Sequence, residues 1–494
     1  MEHMESLGYT RLIERLNLNV RPPDKTACLS GAVNRRVDSA DRILFPKGVA
    51  IEDNLLGHLE FALRHEEIRL DIVAETFKAL DPGLLIARLR DNPNGEYIRK
   101  LCFLWEWMTD SSLGSEIIVR SGYIDLLPSE KYAVASRPQR NPKYRINNNA
   151  LGNRAFCPVV RLDALSGTPS LAELLEQART LLDSCMDGDE LHARAVRYLY
   201  LSETRSSFAI EKEWPDASKE ERFVQLLRRA GEKDSISEDW LVELQNATVR
   251  YPYAMEASYR LKQNWLEDYS GRITFFPPPV EDIRDLMAGW EVFANDTEKG
   301  IDPLVKIACA SFGFVYMHPF LDGNGRLHRF LVHQLLAGSG LLEKEVPIPV
   351  SAIFMRKLPE YLNVLTEFSK PVTALWEYAR TESDPHILAH PGAAPYRYWD
   401  ASREVAFLHE AIKCAVLEQI PREIGFLRGY DRAFERINSL FDLPQKDISS
   451  LIRMIYSNDF QLSKHRRKQY SHLPEEVLDG LEAMVRESFI EVSG

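Results

Sequence analysis

The sequence lacks the features that mark several large classes of protein. Its 494 residues include only six cysteines, none in C-x-x-C spacing, which favours reduced thiols over a disulfide framework or a zinc site. The longest stretch without Asp, Glu, Lys or Arg, residues 307–321, is too short to span a membrane, and the opening segment mixes acids with bases where a signal peptide needs an apolar run. The net charge of −12 argues against nucleic acid as a partner. Together these absences predict a cytoplasmic protein with no membrane partner.

What is present predicts a mainly α-helical chain. Hydrophobic residues make up 45% of the sequence, which is enough for packed cores. Leu56, Leu59 and Leu63 repeat at helical spacing near the N-terminus, and residues 448–455 do the same near the C-terminus. No internal repeat accompanies this periodicity. We therefore expect helical regions at both ends of the chain.

Two segments of irregular composition divide the chain. Residues 136–153 lose apolar periodicity and are rich in Pro, Asn and Arg, which indicates a loop or a domain boundary. Prolines interrupt residues 381–400 in the same way. We therefore predict an N-terminal helical region over residues 1–165, a central domain over residues 166–385 and a C-terminal helical region over residues 400–494.

One stretch, His318-Pro-Phe-Leu-Asp-Gly-Asn-Gly-Arg-Leu-His-Arg329, carries recognisable chemistry. An apolar helix should precede it and end at His318, because Pro319 disfavours helical geometry at the residue before it. Gly323, Asn324 and Gly325 can take positive φ and turn successive backbone N–H groups toward one point, as anion-binding nests do. A second helix should start here, so that its N-terminus points at the same place. The stretch therefore predicts a phosphate-binding loop.

The charged residues of the stretch agree with this prediction. Arg326 and Arg329 are expected in the first turn of the second helix, where the helix dipole disfavours cations, and this suggests an anion between them. Asp322 is the one acid of the group, and a carboxylate beside a polyphosphate commonly holds Mg²⁺. His318 is the natural acceptor for a hydroxyl proton. Each residue alone has an ordinary structural explanation, so it is their combination that favours function.

In combination, these residues resemble the signature of the Fic (filamentation induced by cyclic AMP) family, H-x-F-x-[DE]-G-N-G-R-x-x-R, at all eight specified positions. The resemblance covers roughly residues 190–375 and implies a helical core with a short β-hairpin and transfer of AMP from ATP to a protein hydroxyl. By the same resemblance, His318 deprotonates the hydroxyl of a Tyr, Thr or Ser side chain, Asp322 binds Mg²⁺ and Phe320 anchors the loop. The resemblance assigns the phosphates to Gly323, Asn324, Gly325, Arg326 and Arg329, with Arg326 also acting in catalysis.

A second resemblance suggests a built-in brake. Members of the family often carry an inhibitory helix with the pattern [ST]-x-x-x-E-[GN], whose glutamate pairs with the second arginine of the signature. Ser207 and Glu211 fit this pattern, whereas Lys212 departs from its last position. The resemblance implies that Glu211 pairs with Arg329 in the resting enzyme and restrains it.

A third feature lies between these two motifs. The β-prone residues Ile273, Thr274 and Phe275 are bounded by Ser270-Gly271 and three prolines. In the family this place resembles a flap that holds an extended segment of the target protein as an added strand. A purely structural hairpin fits the residues equally well.

Two alternatives to AMP transfer stay open. The donor could be UTP, GTP or a choline diphosphate compound, because the base-contacting residues lie outside the signature. Alternatively, the site could be silent in a binding or regulatory module. The chain itself is a candidate target, and a homo-oligomer is compatible with the sequence.

Overall fold

The computed structural model describes residues 5–114, 117–184, 189–232, 235–249, 252–342, 346–380 and 384–490. The chain divides into two compact units, and each unit combines segments that are separated in the sequence. The first unit contains Met1–Thr168, Arg229–Ser339 and Lys357–Glu410, and the second contains Pro169–Arg228, Gly340–Arg356 and Ala411–Gly494. The break after Thr168 lies close to the boundary expected at residue 165. The central segment expected as one domain is shared between the two units.

The described residues are mainly helical, as predicted. Their α-helices, in chain order, are α1 (Gly8–Leu16), α2 (Leu55–His65), α3 (Leu70–Phe77), α4 (Pro82–Asp91), α5 (Glu96–Thr109), α6 (Leu171–Asp183), α7 (Asp189–Ile210), α8 (Ala217–Arg228), α9 (Glu238–Thr248), α10 (Ile283–Ala294), α11 (Pro303–Met317), α12 (Asn324–Gly338), α13 (Val350–Arg356), α14 (Leu358–Thr373), α15 (Ala394–Arg397), α16 (Ser402–Cys414), α17 (Ile420–Leu440), α18 (Gln445–Ser457), α19 (Lys464–Gln469) and α20 (Glu475–Ile490). Within the described ranges, none of these helices has the length and apolar character needed to cross a membrane.

Short strands accompany the helices. They are β1 (Thr26–Ser30), β2 (Val37–Asp38), β3 (Arg42–Pro46), β4 (Ile124–Asp125), β5 (Gln139–Asn141), β6 (Ile146–Asn148), β7 (Leu266–Glu267), β8 (Ile273–Phe275), β9 (Glu377–Ala379) and β10 (His386–Ala389). They form two three-stranded sheets, in the orders β1-β3-β2 and β4-β6-β5, and two antiparallel pairs, β7-β8 and β9-β10.

Two sequence expectations are wrong in detail here. The N-terminal region is not purely helical, because β1 pairs in parallel with β3 from Thr26↔Arg42 to Ser30↔Pro46. The expected irregular segment 136–153 contributes β5 and β6, and the proline-interrupted segment 381–400 contributes β10 and the short helix α15. Pairing between strands supplies β1, β3, β5, β6 and β10, and a local pattern of three to five residues does not reveal it.

Helices α11 and α12 form the centre of the first unit. The side chain of Asp302 caps α11 by accepting a hydrogen bond from the backbone N–H of Val305 at 3.2 Å, and Pro303 occupies the first turn. Twelve of the fifteen residues are buried in α11, and the same is true of α12. The two helices that flank the signature are therefore core elements.

The second unit holds α7 together with the C-terminal helices. Glu203 of α7 is buried and accepts hydrogen bonds from the backbone N–H of Ser351, at 2.7 Å, and from its hydroxyl. The Tyr198 ring of α7 stacks on the ring of Phe426 in α17, with centroids 5.8 Å apart. An apolar core follows along α17, α18 and α20. Contacts with α13 and with α17 therefore hold helix α7 in place.

Candidate active site

His318 ends helix α11, as the sequence predicts. Its backbone is left-handed, with φ 48° and ψ 59°, and its N–H donates to the carbonyl of Phe314 at 3.0 Å. A left-handed residue is a common helix C-cap, and Pro319 prevents the helix from continuing. The cap turns the chain sharply and places the imidazole at the start of the loop.

The imidazole of His318 is held neutral. It is buried, with 9% of the residue exposed, and this burial lowers its pKa to about 4. The positive charge of Arg260 lowers the pKa further, whereas Asp322 and the carbonyl of Val315 act in the opposite direction. The Nδ1 atom lies 3.3 Å from that carbonyl, which can only accept, so Nδ1 carries the proton. Atom Nε2 therefore keeps its lone pair and can accept a proton at neutral pH.

Only the first residue of the predicted nest, Gly323, lies in the loop between the two helices. Gly323 has φ 86°, but Asn324 and Gly325 have no positive φ, because they already belong to α12. The Asn324 side chain explains the early start of the helix. Its Oδ1 accepts from the N–H of Phe320 at 3.1 Å, and its Nδ2 donates to the Phe320 carbonyl at 2.8 Å. The side chain thus closes the loop around the buried Phe320.

Asp322 and Arg326 lie together on this loop. The Nη2 atom of Arg326 is 3.3 Å from Oδ1 of Asp322, and the same oxygen accepts the N–H of Gly323 at 2.6 Å. The Nη1 atom of Arg326 donates to the Thr248 carbonyl at 3.0 Å. Arg326 is fully buried, while the side chain of Asp322 is 48% exposed. The guanidinium therefore braces the carboxylate from the protein side.

Arg329 also lies on α12, and it is buried. Because α12 begins at Asn324, Arg326 is its third residue and Arg329 its sixth. The expectation that both arginines occupy the first turn is therefore wrong for Arg329, which stands in the second turn. Their spacing of three residues still places both on neighbouring positions of one helix face.

Two histidines of α12, His328 and His333, pack inside the protein. His328 is buried, its Nδ1 lies 2.7 Å from the Ser311 carbonyl, and burial lowers its pKa to about 3. His333 is buried as well. Both therefore belong to the helix core.

Helix α11 is supported by a buried carboxyl group. The hydroxyl of Tyr316 is 2.7 Å from Oε1 of Glu404, and the Tyr316 ring stacks on Phe368 with centroids 3.9 Å apart. Burial raises the pKa of Glu404 to about 8, so the group is neutral at pH 7. This contact holds α11 two residues before His318.

Several contributors to the loop were not identified from the sequence. Gln245 of α9 donates from Nε2 to the Asp322 carbonyl at 3.3 Å and to the Ala254 carbonyl at 2.8 Å. Arg260, which is 2% exposed, donates from Nε to the His318 carbonyl at 3.0 Å. A single glutamine or arginine carries no pattern, so only the assembled loop reveals these contacts.

The β-hairpin expected near residue 273 is present. Leu266 pairs with Phe275 and Glu267 with Ile273, with a register shift between them. Ile273 and Phe275 are buried, whereas Thr274 is exposed and donates its hydroxyl to the Leu266 carbonyl at 3.1 Å. Alternate burial fixes one face of the hairpin on the core. Its use as a docking strand stays a prediction.

The predicted inhibitory residues belong to the second unit, whereas the signature belongs to the first. Ser207 is fully buried on α7. Helix α7 ends at Ile210, so Glu211 lies in the turn that follows it, and its N–H donates to the Phe208 carbonyl at 3.0 Å. The pairing of Glu211 with Arg329 stays a prediction.

Lys212 adopts φ 58°, the left-handed region that Gly and Asn favour. The family pattern places Gly or Asn at this position. Lys212 therefore differs from the pattern in residue type, but its backbone has the positive φ that Gly and Asn adopt readily after a helix end.

Comparisons with known proteins agree with this geometry. The Fic/DOC family profile matches residues 235–336. The chain is 29% identical over 139 residues to "Protein adenylyltransferase fic-1" of Caenorhabditis elegans. This alignment covers 28% of this chain and 26% of the relative. It is 30% identical over 133 residues to "Protein adenylyltransferase Fic" of Nematostella vectensis, covering 26% of this chain and 29% of the relative. The chain thus spans less than a third of the length of these curated relatives.

Two solved structures are also similar. A Fic-domain-containing signaling protein from Bacteroides thetaiotaomicron has a TM-score of 0.37 at 18% identity, over 51% of this chain and 97% of the other. Fic-1 (residues 134–508) from C. elegans has a TM-score of 0.32 at 21% identity, over 52% of this chain and 72% of the other. The family match includes the helix-loop-helix around His318. Residues 235–336 of this chain are therefore similar to the Fic/DOC family.

Proposed function

We propose that this protein is an adenylyltransferase that moves AMP from ATP to a Tyr, Thr or Ser hydroxyl of a target protein or of its own chain. The observation that carries the proposal is the position of a neutral histidine. His318 caps one core helix, and six residues later Asn324 opens the next core helix, whose N-terminus suits phosphate. Base and phosphate cradle therefore face the same loop.

In the proposed reaction, the hydroxyl oxygen bonds to the α-phosphorus and pyrophosphate leaves. The hydroxyl proton passes to Nε2 of His318, which is neutral at pH 7 because burial lowers its pKa. The backbone N–H groups of Gly323, Asn324 and Gly325 are the donors assigned to the phosphates. Arg326 and Arg329 add positive charge beneath them, since a charge-rich transition state needs positioning and electrostatics.

Asp322 fits the role of Mg²⁺ ligand. Among the described residues, the carboxylate makes its contacts with Arg326 and the N–H of Gly323 through Oδ1, and the side chain is about half exposed, which leaves Oδ2 as the oxygen open to a cation. The described residues contain no cluster of three or more His, Cys, Asp or Glu side chains suited to a metal. One carboxylate with phosphate oxygens and waters is a common Mg²⁺ environment. When bound, the ion would neutralise phosphate charge.

We further propose that Glu211 restrains the enzyme by pairing with Arg329. Glu211 follows the C-terminus of α7, where the helix dipole disfavours a carboxylate by a few tenths of a kcal/mol to about 1 kcal/mol. An arginine partner would offset that cost. The positive φ of Lys212 supports the match to the family pattern, because that pattern calls for Gly or Asn there.

The hairpin β7-β8 is our candidate docking site for the target. An extended segment bound along it would be held by main-chain hydrogen bonds, with selectivity from alternate side chains. We place the activity in the cytoplasm, where the free thiols among the described residues would stay reduced: Cys28, Cys102, Cys157, Cys309 and Cys414.

Intact-mass analysis tests the proposal. The parent chain and the Glu211→Gly variant are incubated with ATP, UTP, GTP or CDP-choline and Mg²⁺, with Glu213→Gly as a control from the same turn. Only ATP should add one AMP, and Glu211→Gly should label about tenfold to a hundredfold faster, because a charge-assisted hydrogen bond contributes about 1.5–3 kcal/mol.

Four further outcomes bear on the proposal. His318→Asn should abolish labelling, and labelling that survives this change would refute the mechanism. Preference for another nucleotide would replace the donor. Equal labelling by the Glu211→Gly and Glu213→Gly variants would remove the brake. Absence of labelling in every variant would favour a silent binding module.

A further inference from the structure

Residues 260–264, which we name the strap, run alongside the start of the signature. The strap donates hydrogen bonds to backbone carbonyls of the signature. The N–H of Arg260 reaches the Pro319 carbonyl at 2.8 Å, and its Nε reaches the His318 carbonyl at 3.0 Å. Asn264 donates from Nδ2 to the Phe320 carbonyl at 3.3 Å. Three consecutive carbonyls after α11 are therefore held by one short segment.

The same strap also holds the base of the hairpin. Nη2 of Arg260 donates to the Pro278 carbonyl at 2.5 Å, and Nε2 of Gln263 donates to the Pro277 carbonyl at 3.1 Å. The strap precedes β7, and the prolines follow β8 after one residue, Phe276. The hairpin is thereby closed at its base by the same arginine that binds the backbone of His318.

Arginine suits this position for a physical reason. Its side chain donates to three carbonyls at once, those of His318, Pro278 and Lys262, and it is almost fully buried. A guanidinium presents five N–H donors in a rigid fork, whereas an ammonium has three on a flexible stem. Lysine therefore keeps the charge but cannot reproduce the geometry.

We propose that Arg260 is a positioning residue that fixes the β7-β8 hairpin relative to His318, so that a hydroxyl on a docked strand meets the imidazole. This inference rests on the proposed transferase function. A misplacement of about 1 Å can cost about a hundredfold in rate, which makes one buried fork at this junction consequential.

The positive charge of Arg260 allows a second, independent measurement, the pKa of His318. Among the described residues, the charge of Arg260 lowers the pKa of His318, whereas the charge of Asp322 raises it. Arg260→Gln removes both the fork and the charge, whereas Arg260→Lys removes only the fork. The two variants therefore separate positioning from electrostatics.

The chain offers a matched control in Arg99. This arginine is 1% exposed and likewise donates to three carbonyls, those of Tyr144 at 2.9 Å, Gly122 at 2.8 Å and Arg145 at 2.7 Å. It belongs to the N-terminal part of the same unit. Arg99→Lys and Arg99→Gln therefore report the general cost of removing such a buried fork.

The experiment uses the full chain in the Glu211→Gly background. Self-labelling with α-labelled ATP should slow by about a hundredfold in both Arg260 variants, whereas the MgATP dissociation constant should change by less than about threefold. The Arg99 variants should label within about threefold of the parent. Equal slowing in the Arg99 and Arg260 variants, or Arg260 variants that label like the parent, would overturn the proposal.

A titration followed by NMR of ¹³C-labelled histidine, with the His318 signal assigned by His318→Asn, does not depend on labelling. The midpoint of His318 should rise in Arg260→Gln and stay near that of the parent in Arg260→Lys. If no variant transfers AMP, the transferase function fails, and this titration still decides the contact. An unchanged His318 signal in Arg260→Gln would refute it.

Discussion

The neutral state of His318 predicts how AMP transfer depends on pH. Because burial lowers the pKa of this imidazole to about 4, it should stay almost wholly neutral at pH 5.5, where a histidine of ordinary pKa, about 6.5, is only about one-tenth neutral. Self-labelling by the Glu211→Gly variant at saturating MgATP should therefore fall by less than about twofold between pH 7.5 and 5.5. An ordinary histidine would give a fall of about tenfold.

The control for this prediction separates the nucleotide from the enzyme. The MgATP dissociation constant is measured at each pH, because protonation of the triphosphate also weakens binding. Thermal unfolding over the same range checks that the chain stays folded. A tenfold loss of rate with a midpoint near 6.5, in a folded enzyme that still binds MgATP, would show that His318 is solvated and would refute the assignment of a buried base.

Three substitutions test other parts of the structure through thermal unfolding. Gly323→Ala should destabilise the protein by about 1–2 kcal/mol because φ is 86°, although the nearest atom, Cγ1 of Val249, would be 3.4 Å from the new Cβ. Lys212→Gly should stabilise it by up to about 1 kcal/mol because φ there is 58°, and a loss of stability would contradict this. Glu404→Gln should gain stability over the parent as pH rises from 5 to 8: the folded pKa is about 8 and the ordinary value 4.5, so the unfolded parent loses a proton that the folded parent keeps. A pH-independent difference would contradict the neutral carboxyl.

The local structure around the signature could be predicted in part from the chemistry of its own residues. Pro319 limits the residue before it, so the end of α11 at His318 follows from two residues. The number of nest residues with positive φ was overestimated, because glycine permits positive φ without requiring it. In addition, the side chain of Asn324 starts α12 early. Arg260 was missed because its partners are backbone carbonyls of distant segments, which leave no trace in a pattern.

The fold was predictable only at the level of class. Helical periodicity extends over many residues and survives in the sequence, whereas strands such as β1 and β3 depend on partners further along the chain. The grouping of Pro169–Arg228 with the C-terminal helices has the same origin. Contacts such as that between Glu203 and Ser351 decide it, and their separation of 148 positions carries no local signal.

The burial of α11 and α12 limits how the proposed activity can be regulated. In hydrogen exchange, amides in the least-packed parts of a protein exchange first, because those parts open most easily. Amides in core helices exchange only near global unfolding. With twelve of fifteen residues buried in each helix, their amide protons should be among the last to exchange. Melting the motif would then cost nearly the whole stability of the unit. Control must instead come from segments that cover or expose the loop while its scaffold stays intact.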